Sequence, residues 1–271
     1  MIKLIQSAVV LLMLTSMTCS ASLMITPLRA SFFDNKRSDE IILVNNSEEV
    51  NSYRLEWVEQ MALPQGGYRP LTAAEAAAFP SASKFLRYSP RQVTLKPGES
   101  QTIKLVLRKP NNLPAGEYRS HLRFRAIPKT LSPEAGINVY AIMSYAIPVI
   151  VKQGPKQAQV SLEQVSMATL NGKPQLKLNL NRSGTSSVIG NVQVFYKASG
   201  SNNQLEIAKY NDFSIYPEVK QSQLTLINTG EMPTSLNGIL KLVYSGTQEW
   251  SGTTFATKEY QVAGGNVRPL N

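Results

Sequence analysis

The chain has 271 residues, 42% of them hydrophobic and 17% charged, with a formal net charge of +10 at pH 7. These proportions fit a folded protein of one or two domains and argue against a disordered or fibrous chain. One histidine (His121), one cysteine (Cys19) and three aspartates (Asp34, Asp39, Asp212) leave a hydrolase or metalloenzyme short of clustered groups. No catalytic residue, metal site or cofactor is therefore expected.

The first 21 residues differ from the rest. Lys3 supplies a positive start, Ala8 to Met17 an apolar run, and Cys19-Ser20-Ala21 ends in a small residue, which together predict a signal peptide cleaved near Ala21 and an exported chain. The run is short for a bilayer span and no later stretch reaches that length, so no stable membrane insertion is expected. Lipidation of Cys19 is the alternative, disfavoured by Thr18 and Ser16, where such sites usually carry Gly or Ala and Leu. Cleavage removes the sole cysteine. The mature protein must then be held by core burial without disulfides, which about 250 residues allow.

Ten of the twelve arginines precede residue 152, and the second half uses lysine except at Arg182 and Arg268. Arginine suits carboxylate binding and partly buried pairs, whereas dispersed lysine suits a solvated surface. A purely solubilising role for both sets stays open. The basic residues are interspersed with acidic ones, which argues against nucleic acid as a partner.

Strand signals fill most of the mature chain. Ser22 to Phe33, Glu40 to Asn45, Ser52 to Val58, Ser100 to Arg108, Gly116 to Ile127 and Asn138 to Val151 are β-branched or alternating runs between turn-forming clusters. Only Thr72-Ala73-Ala74-Glu75 reads as a helix start, a capping box that Pro80 closes within about two turns. Ala62 to Gly67 and this helix are expected to be peripheral insertions, and Trp57 a core residue. Lys152-Gln153-Gly154-Pro155-Lys156 then breaks the pattern, and short strands resume from Gln159 to Val262, among them the period-two run Leu176, Leu178, Leu180. Residues 228–236 and 264–271 read as a loop and a tail. The expected fold is all-β, with two immunoglobulin-like β-sandwich domains in tandem, over residues 22–152 and 153–271.

Three blocks in the first half carry a family resemblance. They are Ile25-Thr26-Pro27-Leu28-Arg29-Ala30 followed by Ile41-Ile42-Leu43-Val44-Asn45-Asn46; Tyr88-Ser89-Pro90-Arg91-Gln92-Val93-Thr94-Leu95-Lys96-Pro97-Gly98; and Leu113-Pro114-Ala115-Gly116-Glu117-Tyr118-Arg119-Ser120-His121-Leu122. In order and spacing they resemble the periplasmic chaperones of the chaperone-usher pilus pathway (PapD-like), over nearly all of residues 22–152. The Gly116 to His121 and Ala146 to Val151 runs resemble its archaic, Csu-type branch. The resemblance implies an L- or boomerang-shaped molecule in the periplasm of a Gram-negative bacterium. It would bind and fold secreted pilin subunits by lending a strand to their incomplete sandwiches, prevent their aggregation, and deliver them to an outer-membrane usher.

Asn138 to Val151 is the candidate lent strand, with Val139, Ala141 and Met143 at the donor positions of the family. One parity presents Val139, Ala141, Met143, Tyr145 and Ile147; the other presents Tyr140, Ile142, Ala146 and Pro148, and a bulge would exchange them. An ordinary core strand is the alternative. Pro148 suggests a sheet edge or domain junction near the end of this strand. Other family members hold the subunit's C-terminal carboxylate in the cleft with an arginine on the first strand and a lysine on the last. Arg29 matches the arginine, whereas the lysine position falls on Pro148, leaving Arg87, Arg119, His121 and Arg123 as candidate partners. Arg119, His121 and Arg123 share one strand parity, with His121 expected to be a surface or cleft residue. Self-association of the free protein through its apolar edge is a further expectation. The alternative function is a structural pilus subunit or surface adhesin built from the same two sandwiches.

Overall fold

The computed structural model describes residues 23–128, 142–170, 173–227 and 236–270. The expected signal peptide, the donor candidates Val139 and Ala141, and residues 228–235 lie outside the described residues. No helix among the described residues is long and apolar enough to cross a membrane.

In the first half the elements are β1 (Leu23–Thr26), β2 (Ala30–Phe32), β3 (Ser38–Asn45), β4 (Asn51–Val58), β5 (Gln60–Ala62) and β6 (Tyr68–Pro70). They continue with α1 (Ala73–Ala78), β7 (Leu86–Ser89), β8 (Gln92–Leu95), β9 (Ser100–Leu107), β10 (Gly116–Ile127) and β11 (Ser144–Gln153). Sheet order is β1-β3-β9-β7 against β2-β11-β10-β4-β8. Alternation decides which faces meet. Ile103, Leu105 and Leu107 are buried on β9 between exposed Lys104 and Val106, and they join Leu55, Leu122, Phe124, Ile147 and Val149 in one core. Trp57 packs half-buried at its margin, edge-on to Tyr88.

The expected single strand from Ser22 to Phe33 is in fact two. β1 pairs antiparallel with β3 in one sheet, and β2 pairs parallel with β11 in the other. Pro27 has no N–H to extend the first ladder, and the chain crosses between sheets at Pro27-Leu28-Arg29. Helix α1 forms as expected: Thr72 accepts from the Glu75 backbone while the Glu75 carboxylate accepts from the Thr72 backbone.

After a turn at Gly154 (φ 81°) come β12 (Ala158–Leu170), β13 (Lys173–Gly184), β14 (Val188–Ala198) and β15 (Gln204–Ile215). β16 (Gln221–Ile227), β17 (Asn237–Gly246), β18 (Thr254–Ala263) and β19 (Asn266–Pro269) complete the chain. Sheet β12-β13-β16 faces sheet β15-β14-β17-β18-β19. Leu176, Leu178 and Leu180 are fully buried in this second core. The molecule is all-β, with two sandwiches in tandem.

The two cores meet at β11. Ile147, Val149 and Val151 point into the first, whereas Ile150, of opposite parity, is buried in the second. The hairpin β5–β6 also crosses. Ala62 is buried in the second core, and the Pro64 carbonyl accepts from Gln223 N at 2.8 Å and Ser222 Oγ at 3.0 Å. This segment, expected to be peripheral, is a strap between the sandwiches.

Candidate functional site

β11 is unequally flanked along its length. β10 runs beside it throughout, from Gly116 opposite Gln153 to Arg125 opposite Ser144. On the other side β2 pairs only with Val149–Val151. Among the described residues no strand covers that side of Ser144–Pro148, so its backbone forms an open edge. The residues leading into it are apolar and exposed: Ile142 is 46% and Met143 57% accessible. Met143 is nonetheless placed, because its carbonyl accepts from Ala126 N at 3.1 Å. Tyr145 packs half-buried against the first core, and Ala146 is exposed.

The open edge leads into a cavity of about 740 Å³ between the sandwiches. Its walls are the Pro27–Arg29 crossing, Tyr68 of the strap, Ala146–Pro148 of β11, and Tyr210–Tyr216 of the second sandwich. Leu28 is 71% exposed. A register shift between β14 and β15 leaves Asp212 in the left-handed region (φ 52°), where Asp is tolerated, and its carboxylate accepts from Thr247 Oγ1 at 2.7 Å.

Arg29 is the single basic residue lining this cavity among the described residues, and it is 5% exposed. Its guanidinium donates to Glu249 Oε1 at 2.7 Å, to Ser187 Oγ at 3.1 Å and to Ser214 Oγ at 3.4 Å. Lys152 Nζ lies 3.1 Å from the same Glu249 oxygen and 3.6 Å from Glu117 Oε2. Glu117 Oε2 in turn accepts from Ser187 N at 2.8 Å and Oγ at 2.9 Å. Burial opposes ionisation of Glu249, but the Arg29 and Lys152 cations outweigh it and hold the carboxyl below its usual range. The result is a buried network of two cations and two anions joining the sandwiches.

Arg119 belongs to a second cluster. It is 3% exposed, pairs through both terminal nitrogens with Glu218, and lies 4.0 Å from the centre of the Tyr216 ring. Glu218 Oε1 also accepts from Ala62 N of the strap at 3.1 Å, and Tyr68 Oη donates to Tyr216 Oη at 2.9 Å. His121 lies beneath Tyr68, edge-on at 4.5 Å. It is fully buried, and neither ring nitrogen has a hydrogen-bond partner among the described residues. Burial first, and the Arg119 charge second, push its pKa down to about 3, so the ring is neutral. The expectation of a surface or cleft histidine is corrected: the strap covers it.

Of the cations proposed to share the cleft, the structure brings Arg29 and Arg119 to the same Tyr216 ring, 5.8 Å and 4.0 Å from its centre. Arg123 shares β10 with Arg119 but pairs with Glu56, both half-exposed. Arg87 lies on β7 in the opposite sheet, exposed, donating to the Leu86 carbonyl at 2.8 Å. Lys152, Glu117 and Glu249 were not among the sequence candidates. For Lys152 a signal existed, since it follows Pro148 by four residues and so shares its strand face. Among the described residues, no group of three His, Cys, Asp or Glu side chains is arranged to hold a metal.

No protein-family model and no curated protein sequence matches the chain. Among solved structures it is similar to a chain of the CsuC–CsuE chaperone–tip adhesion subunit complex of Acinetobacter baumannii, with TM-score 0.41 and 14% identity over 88% of this chain and 98% of that one. It is also similar to the Escherichia coli chaperone DraB (TM-score 0.43, 13% identity, 89% and 98% covered). A third is a chain of the Salmonella enterica SafA pilin–SafB chaperone complex (TM-score 0.44, 12% identity, 90% and 98% covered).

Proposed function

We propose that this protein is an exported chaperone that binds incomplete immunoglobulin-like pilin subunits in the periplasm and passes them to an outer-membrane usher. The observation that carries the proposal is the geometry of β11. Among the described residues β10 is the strand that pairs with Ser144–Pro148, the approach to this segment exposes Ile142 and Met143, and its far end is blocked by β2 at Val149. A sandwich lacking one strand exposes both backbone polar groups and an apolar groove. Edge pairing satisfies the first with main-chain hydrogen bonds, and the apolar side chains of the lent segment fill the second. Exposed Ile142 and Met143 support this reading and continue the sequence candidates Val139 and Ala141, whereas Tyr145 packs against the first core. The three sequence blocks that resemble the chaperone family support the same reading. No nucleotide, metal or covalent step is required by such a mechanism.

The test is co-purification from a periplasmic extract, with mass-spectrometric identification of the bound chain. A one-to-one complex with a secreted pilin is expected, together with absence of this protein from the finished fibre. Recovery of this chain within the fibre supports the adhesin alternative instead.

A further inference from the structure

A strand added along Ser144–Pro148 is stopped where β2 begins, and its end enters the cavity whose wall holds Arg29. Arg29, however, is already engaged by a carboxylate. Glu249 comes from the second sandwich, 220 residues away in sequence, and offers the same two-oxygen acceptor that a chain terminus does. The network of Arg29, Lys152, Glu117 and Glu249 is balanced in charge. A third carboxylate therefore has to displace Glu249 from Arg29, because buried charge without a partner is costly.

Three features make such an exchange feasible. Lys152 lies 3.1 Å from Glu249 Oε1, so Glu249 keeps a cation when Arg29 turns away. Among the described residues Glu249 Oε2 has no hydrogen-bond partner, so one oxygen of this carboxylate carries its contacts. The residue sits in a three-residue helical turn, Gln248–Trp250, preceded by Thr247 and opening on Gln248 in the left-handed region at φ 52°, a short element to displace.

We propose that Glu249 is an internal carboxylate that occupies Arg29 until the C-terminal carboxylate of a bound subunit replaces it. Capture of a subunit is then gated from the second sandwich, which supplies the competitor. This inference rests on the proposed function and adds a regulatory element to the same site.

The test uses the full mature protein and two synthetic strand peptides of alternating valine and threonine, identical except that one ends in a free carboxylate and the other in an amide. Glu249→Gln should tighten binding of the carboxylate peptide by about tenfold and leave the amide peptide unchanged. Because removing this charge can disturb folding, the wild-type protein provides a second readout by amide hydrogen exchange. The carboxylate peptide should accelerate exchange over Thr247–Ser251, and the amide peptide should not. Equal binding of both peptides to both proteins, with exchange over Thr247–Ser251 unaltered, overturns the competitor role while leaving strand addition intact. Failure of both peptides to bind at all overturns strand addition itself and the gate with it.

Discussion

The two ends of β11 are built in opposite ways. At Ser144–Pro148 the strand pairs, among the described residues, with β10, and it is preceded by exposed Ile142 and Met143. At Val149–Val151 it is flanked by β10 and β2 and buries Ile150 in the second core, and the next residue, Lys152, lies between Glu249 and Glu117. One end leaves hydrogen-bonding capacity and apolar surface unspent, and the other spends everything on holding two sandwiches together. The contrast teaches that a strand can be offered to a partner only where something else keeps it in place. The junction does this for β11.

The largest expected effect lies at the junction. Lys152→Ala leaves Glu117 and Glu249 buried with one cation fewer, which should cost about 3–5 kcal/mol of unfolding free energy by denaturant titration. A change under about 1 kcal/mol would break the comparison, because both ends would then be equally dispensable to the fold.

A pH series sharpens it next. His121 is held neutral, with a folded pKa of about 3 against about 6.5 in an unfolded chain. Its contribution is therefore full above about 6.5 and is lost as the pH falls toward 3, since the unfolded state takes up the proton first. His121→Phe should flatten the stability–pH curve across that window. A wild-type curve already flat there would show that His121 is not sealed beneath Tyr68. Glu249, whose folded pKa is lowered, adds to the acid loss below about 4.3, the ordinary glutamate value.

The smallest effect on stability is expected at the open edge. Met143→Asn should change unfolding free energy by less than about 0.5 kcal/mol. Capture of a pilin should nevertheless weaken about tenfold or more, as loss of a buried methionine side chain implies. Stability and capture thus separate along a single strand.

Much of the fold was legible in the sequence because alternation survives wherever one sheet face is buried, as at Ile103–Leu105–Leu107 and Leu176–Leu178–Leu180. The capping box at Thr72 and Glu75 was equally local and equally readable. The division of the first strand was not, although Pro27 marks it. The candidate site was only partly legible. Open edges depend on where a neighbouring strand stops, and the reach of β2 along β11 has no local signature. The strap was missed because Pro64, Gly66 and Gly67 read as a turn, while its meaning comes from Ser222 and Gln223, near 158 residues away. Glu249 had no signal at all, since nothing around it differs from an exposed loop until the second sandwich docks against Arg29.

The central claim is that Ser144–Pro148, with Ile142 and Met143 before it, lends its edge opposite β10 to a pilin. The most direct test is amide hydrogen exchange over residues 142–148 in the free protein and in its pilin complex. The account predicts fast exchange for the outward-facing amides of this segment when free and strong protection in the complex, with 149–152 protected in both. Unchanged exchange over 142–148, with new protection confined to another strand, would contradict it.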